Sequence, residues 1–145
     1  MSEAMTECVF CRILAGTLPA SIVYRDERCT AFMDIQPVNE GHVLVIPNAH
    51  AAYLAEMDAA SAGHLMRVAH RVVAAVRRSG VRCEGVNLFL ADGEVAMQHV
   101  FHVHLHVIPR YAGDGFGLRF GEHYGRRPER SVLDDVAERI RLAMR

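Results

Sequence analysis

Three histidines alternate with apolar residues in His102-Val103-His104-Leu105-His106, inside the longer run Gln98 to Arg110. Successive side chains of a strand point to opposite faces. The three imidazoles therefore share one face, while Val103, Leu105 and Val107 turn toward a core. The plain alternative is the polar face of an ordinary strand, but imidazoles drawn out of water need partners, and three in strict register ask for a purpose. Two chemistries use such a wall. Neutral imidazole is the commonest metal ligand, and it is also a nucleophile or general base near pH 7. Cys8-Val9-Phe10-Cys11 adds two thiols at a spacing familiar from zinc sites.

The elements that must hold these groups follow from periodicity and punctuation. Ile13-Leu14 closes a short helical turn that ends at Gly16. Ser21 to Tyr24 and Cys29 to Met33 are β-favouring runs about the polar turn Arg25-Asp26-Glu27-Arg28, a hairpin. After the loop Gln36 to Gly41, the apolar run His42 to Ile46 is a central strand stopped by Pro47. Ala51 to Met57 forms a helical turn. Asp58 then caps one long helix, with Leu65, Val68, Ala69, Val72, Val73 and Val76 on its inner stripe, arginines outside and Gly80 as the stop. Gly85 to Leu90 is a strand, and Ala91 to Met97 is the loop that delivers the chain to the histidines. Tyr111 to Arg127 predicts no regular structure. Ser131 with Asp134 is a variant capping box for a C-terminal helix carrying Leu133, Val136, Ala137, Ile140 and Met144.

The fold expected is α+β: an antiparallel sheet of about five strands, one long helix on a face, and a C-terminal helix. The chain of 145 residues is read as a single domain, with 1–7 a flexible polar tail and 111–145 a C-terminal extension. A formal net charge of −1 gives no pull toward nucleic acid or a membrane surface, so neither is expected as a partner. No run approaches a membrane span, and no basic-then-apolar leader is evident. Cys29 and Cys83 have no spaced partner and are read as core thiols. All four cysteines are expected as thiols in a reducing cytoplasm.

The run His102 to Ile108 resembles the signature of the histidine triad (HIT) family, three histidines alternating with apolar residues. Gln98 stands four residues upstream, where that family keeps a glutamine. Cys8 to Gly16, Ala31 to Pro37 and Gly41 to Pro47 resemble further motifs of the family in the same order, so the likeness spans roughly Glu7 to Gly121. It points to the zinc-type bacterial branch. There the resemblance implies a closed, structural zinc held by Cys8, Cys11, His50 and His102. It implies that His104 attacks the α-phosphorus of a nucleotide and forms a covalent nucleotidyl-histidine, with the main-chain carbonyl of His102 fixing its tautomer. His106 and Gln98 are implied at the phosphate, and Asp34 at the ribose. Phe10, Phe32 and Ile35, with Val9 and Ile13, would form an apolar slot for a purine. Asp34 has an alternative reading as a loop-initiating residue before Gln36-Pro37, and Gln98 as a solvated loop residue. Homodimers that extend the sheet are usual in the family.

Three positions depart from the family pattern: Ala91 for an asparagine, Met97 for a glycine before the glutamine, and His99 for the following serine or threonine. An imidazole at 99 is a far better acid than a hydroxyl, so His99 is read as a general acid for the leaving group. The activity expected is a nucleotide hydrolase, a phosphoramidase that releases a nucleoside monophosphate from a purine nucleotide. The alternatives are a dinucleoside polyphosphate hydrolase and a nucleotide-binding regulatory protein with weak turnover.

Overall fold

The computed structural model describes residues 3–145. Two compact units are present, 1–114 and 115–145. The first holds helices α1 (Glu3–Glu7), α2 (Val9–Leu14) and α3 (Ala59–Arg78) with strands β1 (Ile22–Arg25), β2 (Cys29–Met33), β3 (Val43–Pro47), β4 (Gly85–Leu90) and β5 (Leu105–Arg110). The strands form one antiparallel sheet in the order β1-β2-β3-β5-β4. The α+β architecture is therefore the one expected. Of the segment read as a polar tail, Glu3 to Glu7 is helical, while Met1 and Ser2 lie outside the described residues.

The sheet is apolar on both faces, and the period of two sorts its residues. Ala31, Val43, Val45, Val103, Leu105 and Val107 pack under Leu65, Val68, Ala69, Val72 and Val76 of α3. Phe32, Leu44 and Ile46 point the other way and pack with Phe10 of α2. Asp58 caps α3 as its sequence predicts, accepting the Ser61 N–H at 2.7 Å, and Gly80 ends it with φ +88°. Gly41 is needed for a close approach. It has φ +91°, and a Cβ there would meet Val81 at 2.7 Å.

Two local expectations are corrected. The strand that begins with the histidines starts only at Leu105, where its pairing ends on both sides, with Val45 of β3 and with Leu90, the last residue of β4. His102 instead reaches the Pro47 carbonyl with its ring, and the Val103 N–H goes to the Ala51 carbonyl at 2.8 Å. The histidines thus lie on an extended, unladdered approach to β5, and they still share one side. The second correction concerns the C-terminal helix, α4 (Arg130–Ala143). Its N-cap is Glu129 and makes no side-chain cap, so Ser131 lies inside the helix rather than capping it. Within that second unit the apolar stripe Leu133, Val136, Ile140 and Met144 is exposed. Residues 111–129 contain no helix or strand, as read from their glycines. No helix of the described residues is long and apolar enough to cross a membrane.

Candidate functional site: a histidine wall between two ligand-type clusters

His102, His104 and His106 stand on the α2 side of the sheet. Phe10 wedges their base, edge-on to His102 at 5.8 Å and to His104 at 5.2 Å between ring centres. Phe32 backs Phe10 at 5.4 Å. Two of the aromatics read as purine contacts are therefore core, 6% and 3% exposed. They hold the histidines from behind. Val9 and Ile35 are the members of that set open to solvent, Ile35 almost fully.

At the first histidine, the ring Nε2 lies 2.8 Å from the Pro47 carbonyl oxygen. A carbonyl can only accept, so Nε2 carries the proton and Nδ1 offers its lone pair. That lone pair faces Cys8 Sγ at 3.4 Å, Cys11 Sγ at 3.5 Å and His50 Nδ1 at 3.2 Å, and Cys11 Sγ stands 3.2 Å from His50 Nδ1. A tetrahedral zinc with bonds of about 2.3 Å to sulfur and 2.0–2.1 Å to nitrogen holds S and N roughly 3.5 Å apart and two nitrogens about 3.3 Å apart. All four ligand atoms fall within 4.8 Å of one another, so the donor set fits that ion in kind, number and spacing. The Cys11 N–H reaches back to Cys8 Sγ at 3.4 Å, which closes the Cys-x-x-Cys turn at the start of α2. Burial, reinforced by the neighbouring Cys8 sulfur, pushes the Cys11 thiol up to about 12. Burial pushes His102 down to about 4, so its imidazole is neutral near pH 7.

His104 uses the opposite nitrogen. Its Nδ1–H donates to the His102 carbonyl at 2.8 Å, the contact expected from the sequence. The lone pair is therefore on Nε2. Burial lowers its pKa, against the hydrogen bond to His102 and the charge of Asp34, so the ring is neutral at pH 7.

The third histidine is governed by a residue to which the sequence reading gave no role. The Val38 N–H donates to His42 Nδ1 at 3.0 Å. The neutral His42 ring then carries its proton on Nε2, which lies 2.9 Å from His106 Nδ1. His106 accepts there, and its own proton stands on Nε2. Adjacent Nε2 atoms along the wall thus differ: an acceptor at His104 and a donor at His106. Burial holds His106 down at about 4 and lowers His42 as well. Asp34 Oδ2 stands 3.5 Å from the same His42 nitrogen. Asp34, His42 and His106 also bring one ligand atom each within 4.8 Å of one another. Here, however, the Val38 N–H commits the His42 nitrogen to a proton, which makes it a donor and not a ligand. Parity was the signal for His42, since it precedes Leu44 and Ile46 at the spacing that puts it on the histidine side.

Other residues singled out by sequence are placed as follows. Asp34 opens the turn before Pro37, its Oδ1 accepting the Gln36 N–H at 2.8 Å. Gln98 is neither solvated nor aimed at the histidines. It is 2% exposed, its amide donates to the Ala52 and Val100 carbonyls, and its oxygen accepts the Gly93 N–H at 2.7 Å. It staples the loop that precedes the wall. His99 is exposed. Cys29 and Cys83 are thiols of the α3-side core. A cleft of about 670 Å³ lies away from this wall, between the β1–β2 turn and α3, where His64 pairs with Asp26 at 2.6 Å.

The profile of the HIT domain matches residues 15–113. The chain belongs to the HIT family. A HIT-like protein of Methanocaldococcus jannaschii is 42% identical over 134 residues, 92% of this chain and 98% of its own length. The adenosine 5'-monophosphoramidase of Schizosaccharomyces pombe is 31% identical over 137 residues, 92% of this chain and 98% of that one. Among solved structures, a zinc-bound histidine triad family protein from Mycobacterium smegmatis has a TM-score of 0.74 at 36% identity, covering 91% of this chain and 99% of that one. The HIT signature here is the wall itself, from His102 to Ile108.

Proposed function

We propose that this HIT protein is a nucleoside phosphoramidase working through a covalent nucleotidyl-histidine at His104. The observation that carries the reading is the 2.8 Å bond from His104 Nδ1 to the His102 carbonyl, which leaves the lone pair of the neutral ring on Nε2. Nε2 attacks the α-phosphorus of a purine nucleotide amidate. A P–N bond to the imidazole forms as the P–N bond to the amine breaks, and the amine takes a proton from His99 and departs neutral. Water then attacks the same phosphorus and returns a proton to His99, and the imidazole leaves, releasing the nucleoside monophosphate. Throughout, Nδ1 keeps its proton on the His102 carbonyl. The Nε2–H of His106 donates to the phosphate oxygens, Asp34 accepts from the ribose hydroxyls, and Ile35 with Val9 covers the base. The relative named as a phosphoramidase supports this choice of reaction.

Cys8, Cys11, His50 and His102 would hold a zinc, as the zinc-bound relative supports. When bound, that ion supplies a structural cross-link between α2 and the wall, with no vacant position for substrate. We extend the reading to a reducing compartment such as the cytoplasm, where unpaired thiols persist. We extend the reading to a homodimer, since β4 is an edge of the sheet and Leu88 on it is exposed. The test is a mass measurement on protein quenched during turnover of an AMP phosphoramidate. A nucleotidyl adduct on the peptide containing His104 is expected. Bound nucleotide without an adduct would make the protein a nucleotide-binding regulator instead.

A further inference from the structure

One buried carboxylate has no part in the reaction above. Asp114 is the last residue of the first unit, and its side chain is 3% exposed. Arg110 of β5 grips it with two bonds, Nε to Oδ2 at 2.6 Å and Nη2 to Oδ1 at 2.8 Å. Such a fork fixes the plane of a carboxylate as well as its charge. Oδ2 also accepts from Asn39 Nδ2 at 2.8 Å. The same Nδ2 donates to the Pro109 carbonyl of β5, again at 2.8 Å. Both partners are acceptors, so the amide nitrogen must stand there, and both of its hydrogens are committed. Turn asparagines commonly bond their own neighbouring backbone. This one is 8% exposed and reaches a strand 70 residues away.

What the asparagine holds is the turn that governs the third histidine. The Asn39 carbonyl accepts the His42 N–H at 3.2 Å, and the preceding residue, Val38, supplies the N–H that occupies His42 Nδ1. Gly41 brings the turn onto β5, where a Cβ would stand 3.2 Å from the Pro109 ring. The contacts close a ring. It runs from His106 to His42, through Val38 and Asn39 to Asp114, and through Arg110 back to the strand that carries His106. A loop N–H selects a tautomer only while it is held in place, and turns without such anchors open locally at little cost.

We propose that Asn39 and Asp114 are positioning residues of the histidine wall: clamped by Arg110, they hold the Val38 N–H against His42 Nδ1 and so keep the proton of His106 on Nε2. The effect on turnover rests on the phosphoramidase reading; the effect on the tautomers does not. Without the clamp, the Val38 N–H leaves His42 Nδ1, and that nitrogen can take the proton. His42 Nε2 is then an acceptor, and His106 answers it with Nδ1–H. A lone pair replaces the donor at His106 Nε2, where it repels phosphate oxygens.

Two readouts on zinc-loaded, full-length protein test this. One is kcat on an AMP phosphoramidate. The other is long-range proton–nitrogen NMR of the histidine rings at neutral pH, which shows which nitrogen carries the proton. Asn39→Ala and Asp114→Ala should each lower kcat about tenfold, the scale for losing a residue that orients an active group. In both, His42 and His106 should show two tautomers where the wild type shows Nε2–H alone. Asn39→Ser, whose hydroxyl donates to one acceptor only, takes the place of an alanine variant that does not fold. In a His42→Ala background the Asn39 substitution should cost nothing further, because its effect passes through that ring. Tyr24→Phe removes a hydrogen bond to Asp26 on the α3 side; it should lower Tm and leave kcat and the tautomers unchanged. Wild-type tautomers that survive the Asn39 substitution, or losses that add in the His42→Ala background, would overturn the proposal. If the wild type releases no AMP, the phosphoramidase reading fails and the NMR alone decides this one: mixed tautomers in the Asn39 variant sustain it, and unchanged ones overturn it.

Discussion

His104 stands between two groups of side chains that look alike. On one flank Cys8, Cys11, His50 and His102 bring four ligand atoms together, and on the other Asp34, His42 and His106 bring three, each group within 4.8 Å. What separates them is one backbone group apiece. The Pro47 carbonyl takes the proton side of His102 and turns its lone pair toward the thiols. The Val38 N–H occupies the lone pair of His42 and turns its proton toward His106. A main-chain acceptor leaves a lone pair free for a metal, and a main-chain donor makes a hydrogen-bond relay. Residue type and proximity alone do not distinguish the two.

The largest effect should come at the residue both flanks serve. His104→Ala should lower turnover by about 1,000-fold or more while nucleotide binding stays measurable by calorimetry. A variant that keeps a few per cent of the rate would remove covalent catalysis at this position. On the metal-type flank, native mass spectrometry should find one zinc per chain, and chelation or Cys11→Ser should lower Tm by about 10 °C or more. Chemistry per folded molecule should change far less. Protein purified without chelator and found to contain no zinc would dissolve the distinction between the flanks.

The proton-held flank should answer differently. His42→Ala should cost about 10- to 100-fold in kcat with little loss of Tm beyond that of a buried truncation, and added zinc should not rescue it. His42→Gln can still accept from Val38 and donate to His106, so it should recover part of the loss. Rescue by zinc, or equal rates for the two variants, would show that the tautomer of His106 is not set there. His99→Ala should slow amidates of basic amines by about 10- to 100-fold and barely affect an activated ester whose leaving group needs no proton. Equal losses on both would return His99 to the surface.

The smallest effect is on stability against pH. His106 titrates at about 4 in the folded chain, below the roughly 6.5 of an unfolded histidine. Between those values the unfolded chain binds a proton that the native one does not. The contribution is therefore fully present above about 6.5 and is lost as pH falls toward about 4. The acid-side slope of Tm should be shallower in His106→Asn, and an unchanged slope would exclude His106 as a source of acid lability.

Much of this was legible in the order of residues. Strict alternation about His102, His104 and His106 placed them on one side, because a strand's period does not depend on what surrounds it. The helical spacing of Leu65, Val68, Ala69, Val72 and Val76, with Asp58 before it, marked α3 and its buried stripe for the same local reason. Spacing also marked Cys8 and Cys11 as a pair, while likeness to the HIT motifs brought His50 and His102 to them. Tertiary structure decided the rest. It ended the ladder at Leu105, drew Phe10 and Phe32 into the core behind the wall, and spent Gln98 on the loop. It also assigned the protons of His42 and His106 through a single N–H at Val38. Those outcomes depend on which backbone groups lack partners once distant segments meet, and no local periodicity records that.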